Sequence, residues 1–170
     1  MKVIILGMGN TLLSDDGVGI LVAKELKKII PENYFIEIAE TSWGGFRIID
    51  LLTGFDKAII IDSIKTGSKP PGSIHYFKPA DMVPSIRMVA FHDINFNTAL
   101  EFAKQYGISM PDDFSIYAIE VTDTETIVER CTPPVQQAVN HCTKRILDEL
   151  GKNMSPRIFQ SRRVPGERSY

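Results

Sequence analysis

Asp16, Glu40, Asp62 and His92 are the residues of this chain whose types and places can do chemistry. Asp16 lies just beyond the apolar run "VIIL", Glu40 closes "FIEIA" and Asp62 closes "AIII". Each acid therefore stands at or just past the carboxyl end of a predicted strand. In a parallel sheet those ends share one edge, where the three acids can converge. Carboxylates held close together need a compensating cation, a shared proton, or enough separation in water. His92, in "AFHD" at the entry to a predicted helix, adds an imidazole. Imidazole with carboxylates suits nickel, zinc, copper or iron. Two carboxylates and one histidine leave coordination positions open for another molecule. A lone histidine in such a place also serves as an ordinary cap or core residue. His75, on a strand, and His141, in the last helix, read as structural.

The stretch "GMGNTLLSDDGVG", residues 7–19, must position the first acid. It begins like a phosphate-binding loop but lacks the third glycine of the dinucleotide fingerprint, where Leu12 stands. It also lacks the Gly-Lys-Ser/Thr of a P-loop. Asp15 and Asp16 would repel a pyrophosphate. A nucleotide-binding α/β domain is thus a weak reading. Asp15 is expected to cap a helix N-terminus, and Asn10 to support the turn through its side chain.

Around these residues the pattern alternates strand and helix. "KVIILG", "YFIEIAE", "KAIIIDSI" and "FSIYAIEV" read as strands. The third is apolar without alternation, as expected of a strand covered on both faces. "VGILVAKELKKII", "GGFRIIDLLTG", "DINFNTALEFAKQYG" and "TPPVQQAVNHCTKRILDEL" read as helices, with Gly107 as a C′ residue. "KTGSKPPGS" is a loop. "IHYF" is expected to pair antiparallel with the strand before it. Residues 78–92 read as irregular. Such alternation indicates an α/β fold with a parallel or mixed sheet covered on both faces. Sites in such folds form outside the carboxyl ends of strands, where the strand order reverses.

The length of 170 residues suits one domain, expected over residues 1–150. Residues 151–170 read as a basic, flexible tail: from Lys152 onward there are five basic residues against one acid. The net charge of −2 argues against broad nucleic-acid binding. The two cysteines form no CxxC pair, and no signal peptide precedes the first strand, which points to a reducing cytoplasm. No apolar run approaches the roughly 20 residues of a membrane span. Neither HExxH nor G-x-S-x-G occurs, and Asp62-Ser63-Ile64 alone makes no triad.

Taken together, "GMGNTLLSDDGVG", "IIIDSI", "PPGSIHYF" and "AFHDINFNTAL" resemble the nickel–iron hydrogenase maturation endopeptidases, as does the closing "AIEVTDTETIVERCTPPVQQAV". The resemblance covers about residues 1–150 in order. It implies a three-layer α/β/α sandwich with a twisted, mostly parallel mixed sheet. It implies an endopeptidase that removes a C-terminal extension from the precursor of a [NiFe] hydrogenase large subunit after nickel insertion. The family's metal ligands fall on Asp16, Asp62 and His92, which are then also the catalytic residues, with nickel carried in by the substrate precursor. Glutamate holds the first position in some members, and this chain has the shorter acid. Glu40 matches a position often acidic in the family. The alternative is a non-hydrolytic nickel-binding chaperone or checkpoint module. Residues 79–91, with Met82, Met88 and Phe91, are expected to help dock the precursor.

Overall fold

The computed structural model describes residues 1–31, 35–42, 44, 47–78 and 96–153. In chain order its elements are β1 (Val3–Met8), a 3-10 turn (Ser14–Gly17), α1 (Val18–Ile29), β2 (Ile36–Thr41) and α2 (Arg47–Leu52). β3 (Lys57–Ile64), β4 (Ile74–Phe77), α3 (Phe96–Gln105), β5 (Asp113–Glu120) and α4 (Pro133–Asn153) follow.

The strands form one sheet in the order β2-β1-β3-β5-β4. β1 pairs parallel with both β2 and β3, and β3 pairs parallel with β5. Among the described residues only β4 runs antiparallel. β1 and β3 are buried along their whole length, which is why their sequences are apolar without alternation. Side chains alternate across the sheet. Ile5, Ile59, Ile61 and Ile119 meet α1 and α4 on one face, and Ile4, Leu6, Ile60 and Ile116 meet α2 on the other. Leu100 of α3 joins that second layer. The architecture is thus an α/β/α sandwich on a mostly parallel mixed sheet.

α1 shows how sequence makes an element here. Val18, Val22 and Leu26 recur at helical spacing and bury against the sheet, while Lys24, Lys27 and Lys28 stay exposed. At about 25 cal/mol per Å² of apolar surface, such a stripe holds the helix more firmly than its intrinsic propensity does. Gly7 and Gly19 set its closeness to the sheet. A Cβ on Gly19 would lie 2.4 Å from the carbonyls of both Met8 and Ile61. Gly107, with φ of +66°, follows the end of α3 as a C′ residue should.

Two expectations are corrected. "IHYF" does not pair with the strand before it: β4 pairs with β5, Ile74 opposite Ile119 and Phe77 opposite Ile116. β5 already occupies the free edge of β3, so the intervening loop must step over one strand. It is held while doing so, because Glu120 at the end of β5 accepts from the amides of Thr66 and Gly67 at 2.8 Å. The last helix also runs past Gly151 to Asn153. Residues 79–91, the remaining tail from 154, and His92 lie outside the described residues.

Candidate active site

The connections fix where the sheet can hold a site. From β1 the chain passes through α1 to β2 on one side, then through α2 to β3 on the other. The strand order therefore reverses between β1 and β3, and in sheets of this kind sites form outside the carboxyl ends of the strands at such a reversal. β1 leaves the ladder after the pair Gly7–Ile61, so Asp62 and Ser63 extend beyond it beside the loop that follows β1.

That loop is a close backbone knot. Gly9 has φ of +133°, and a Cβ there would lie 1.9 Å from the carbonyl oxygen of Asp16. The glycine is required because Asp16 backbone fills the space a side chain would need, which also removes any cradle for a phosphate. Asn10 Oδ1 accepts from the amide of Leu12 at 3.0 Å, as its side-chain role in the turn requires. Ser14 takes φ of 47°, a conformation uncommon outside glycine. Its amide donates to the carbonyl of Val128 at 3.0 Å.

The two aspartates that follow face different parts of the molecule. Asp16 is 7% exposed. Its Oδ2 accepts from the amide of Asn10 at 2.8 Å and its Oδ1 from Ser63 Oγ at 3.0 Å. Asp62 is 0% exposed, and its Oδ1 accepts from the amide of Ser63 at 2.8 Å. Ser63 thus ties both carboxylates to one residue at the reversal of strand order. Asp15, expected as a helix cap, caps nothing with its side chain: neither the 3-10 turn nor α1 has a side-chain cap. It is 0% exposed and accepts from the amides of Thr132 at 2.7 Å, Asp123 at 3.2 Å and Thr122 at 3.3 Å. Asp15 locks the β5–α4 loop onto the turn that carries Asp16.

Glu40 is not gathered with these acids. Lys27 of α1 holds it in an ion pair at 2.7 Å on the edge strand β2. Among the described residues no three of His, Cys, Asp and Glu come together as a metal-holding group. The third expected ligand, His92, lies outside the described residues. The donor chemistry of Asp16 and Asp62 nevertheless fits a divalent ion. A carboxylate offers about four lone-pair sites, and the bonds to each Asp16 oxygen use only one of its two. His141 sits exposed on α4.

Ser63 and the pair His75–Glu120 escaped the sequence reading. His75 Nε2 lies 2.9 Å from Glu120 Oε2, both buried. Burial pushes the Glu120 carboxyl up, but bonds from Thr66, Gly67 and His75 outweigh it and hold it below the usual range. The signal was present: Glu120 ends "YAIE" as Asp62 ends "AIII". Cys131 is no nucleophile. Burial, then the charges of Asp15 and Asp16, push its thiol up to about 12. Two cavities elsewhere, of about 650 and 540 Å³, are lined by neither Asp16 nor Asp62.

The chain matches the family model HycI, hydrogenase maturation protease, over residues 20–149. It is similar to the hydrogenase 2 maturation protease of Escherichia coli strain K12, at 22% identity over 154 residues, covering 88% of this chain and 91% of that protein. Among solved structures it resembles the hydrogenase maturating endopeptidase HybD from E. coli, with a TM-score of 0.72 and 21% identity. That match covers 90% of this chain and 94% of the other. It also resembles the [NiFe] hydrogenase maturation protease HybD from Thermococcus kodakarensis, with a TM-score of 0.66 and 22% identity, over 88% and 99% of the two chains. The structural likenesses establish the shared fold.

Proposed function

The chain belongs to the hydrogenase maturation protease family and is a peptidase, and from that premise we propose that it removes the C-terminal extension of a nickel-loaded [NiFe] hydrogenase large-subunit precursor in the cytoplasm. Family membership favours hydrolysis over a non-hydrolytic checkpoint module. The observation that carries the finer reading is the convergence of Asp16 and Asp62 on Ser63 where the strand order reverses.

In this reading Asp16, Asp62 and His92 offer an open ligand set to nickel that arrives as cargo of the precursor. Their positions turn the loading state of the substrate into geometry. Asn10 and Ser63 fix the Asp16 carboxylate, so little ordering remains to be done on binding. Correct placement of reacting groups lowers a barrier by roughly 7–11 kcal/mol. A precursor without its ion would lose that placement with no change in the enzyme's fold. When seated, the ion supplies Lewis acidity toward a carbonyl or a water.

The test is to incubate metal-free and nickel-loaded precursor separately with the protein and time the loss of C-terminal mass by mass spectrometry. Only the loaded form should shorten, and free nickel added with the enzyme should not substitute. Equal rates would refute the recognition role of the metal. Calorimetry with nickel or zinc tests the ligands: Asp16→Ala, Asp62→Ala and His92→Ala should each weaken binding. Unchanged affinity in all three removes the assignment.

A further inference from the structure

Near its carboxyl end β3 carries two consecutive polar residues, Asp62 and Ser63, both wholly buried. Consecutive residues of a strand send their side chains to opposite faces. The Ser63 side chain therefore leaves β3 on the face away from the Asp62 side chain, and its hydroxyl donates to Asp16 Oδ1 at 3.0 Å. Its backbone amide donates to Asp62 Oδ1 at 2.8 Å. One residue thus serves two acids, 46 positions apart in the chain, through two separate groups.

A serine buried in a central strand needs a hydrogen-bond partner, whereas alanine would fill the same place with no such need. Among the described residues the Ser63 hydroxyl bonds to Asp16 alone. Ser115, equally buried on β5, differs: its hydroxyl is shared among Lys57, Tyr76, Lys78 and Glu149. The dependence also runs the other way. Asn10 reaches Asp16 through its backbone, so Ser63 supplies the only side-chain donor to this carboxylate among the described residues. The terminal torsion of an aspartate is otherwise broad. With one bond on each oxygen, the Asp16 carboxylate cannot turn without breaking both.

We propose that Ser63 is the positioning residue of the metal-receiving acids: its hydroxyl holds the Asp16 carboxylate in the orientation that takes a divalent ion, and its amide holds Asp62 beside it. The proposal rests on the reading that Asp16 and Asp62 meet the nickel of the precursor. Ser63 is not itself a ligand in this account. It acts through the orientation of Asp16, so that less freedom is lost when the ion arrives. Groups that orient metal ligands in this way typically account for about ten- to a hundredfold of metal affinity.

Calorimetry of the full chain with nickel alone, and separately with zinc alone, compares wild type, Ser63→Ala, Ser115→Ala, Asp16→Ala and the double variant Asp16→Ala with Ser63→Ala. Ser63→Ala keeps the amide that serves Asp62 and loses only the hydroxyl. It should remain folded by circular dichroism and bind both ions about ten- to a hundredfold more weakly. Ser115→Ala removes a hydroxyl that is just as buried but lies opposite Ile59, away from Asp16 and Asp62, and should keep wild-type affinity. In the Asp16→Ala background, loss of the Ser63 hydroxyl should change affinity less than about twofold, since nothing is left for it to orient. Unchanged affinity in Ser63→Ala overturns the proposal and leaves the ligand reading intact. A full-sized loss in the Asp16→Ala background, or an equal loss in Ser115→Ala, also overturns it, because either makes the effect a general loss of structure. Wild type that binds neither ion overturns the ligand reading, and the positioning role falls with it.

Discussion

Replacing Asp15 by alanine should destabilise the protein severely while leaving Asp16 chemically intact. The Asp15 carboxylate is wholly buried and accepts three backbone amides and the Thr132 hydroxyl. Hydrogen bonds to a charged group contribute roughly 1.5–3 kcal/mol each. Thr122 is exposed, so its amide passes to water when the acceptor is removed. The amides of Thr132 and Asp123 are half-buried and lose theirs. Two such losses amount to ~3–6 kcal/mol, and relief of the buried charge offsets part of this. A net cost of about 3 kcal/mol remains. For a chain of this length that corresponds to a fall of roughly 6–12 °C in melting temperature. Asp16→Asn is the control. It keeps one acceptor oxygen and should cost under about 1 kcal/mol, yet abolish processing. Urea unfolding of both variants, followed by circular dichroism, makes the comparison. An Asp15→Ala protein melting within 2 °C of wild type would refute the tether, as would an Asp16→Asn protein that loses as much stability as Asp15→Ala.

An ion-pair cluster around the buried Lys57, at the opposite end of the sheet, predicts a pH dependence. Lys57 contacts Asp113 and, at 2.8 Å, Glu149, which also accepts from Tyr117. Burial raises the Glu149 carboxyl, but bonds from Lys57, Tyr117 and Ser115 outweigh it and lower it below 4.5; Asp113 is lowered below 3.8 mainly by its bond from Lys57. A depressed carboxyl stabilises above its unfolded value and loses that contribution as pH falls through the folded one, so the urea midpoint should drop below about pH 4. Burial pulls Lys57 down, but its partners raise it above 10.5, so its share is lost only as pH climbs past that value. In Lys57→Met the two carboxyls lose the cation that depresses them, so the variant should start less stable and its acid-side loss should shrink; an identical acid limb would count against the network. Cys131 and Cys142 are both pushed up to about 12, chiefly by burial. Neither should react with iodoacetamide at pH 8 until the protein unfolds, and rapid labelling of native protein would contradict this. Gly9→Ala should fail to give folded protein, since its Cβ meets the Asp16 carbonyl at 1.9 Å. A soluble variant with a melting point near wild type would show that the loop can open.

Much of the fold was legible because burial leaves a pattern. The unbroken apolar runs of β1 and β3 announced central strands, and the helical spacing of Val18, Val22 and Leu26 announced α1. Strand order was not legible. "KTGSKPPGS" is a loop whether it returns to β3 or steps over β5, and only the placement of β5 decides between them. Position along a strand was enough to place Asp16 and Asp62 near one another at the reversal of strand order. The site was illegible where side chains met distant partners. Glu40 occupies the same kind of position, but its edge strand leaves it within reach of Lys27 on α1. Glu120 and His75 are 45 residues apart, and nothing local reveals their pairing.

The double aspartate shows why local sequence underdetermines role. "SDDG" reads equally well as a capped helix start and as a pair of ligands. The chain forms a 3-10 turn there, with three residues per turn, so adjacent side chains diverge by about a third of a revolution. Two neighbouring acids in such a turn cannot serve one purpose. One faces residues 122–132, more than a hundred positions ahead, and becomes a tether. The other faces Ser63 and the reversal of strand order. Gly9 allows the turn to fold back until the Asp16 carbonyl lies where a side chain would be, and Gly7 and Gly19 bring α1 down onto β1 and β3 beneath it. The glycines of the opening loop therefore answer to close packing of backbone on backbone. Their resemblance to a nucleotide motif follows from a shared need for close approach, and the acid they deliver excludes the phosphate that such a motif would hold.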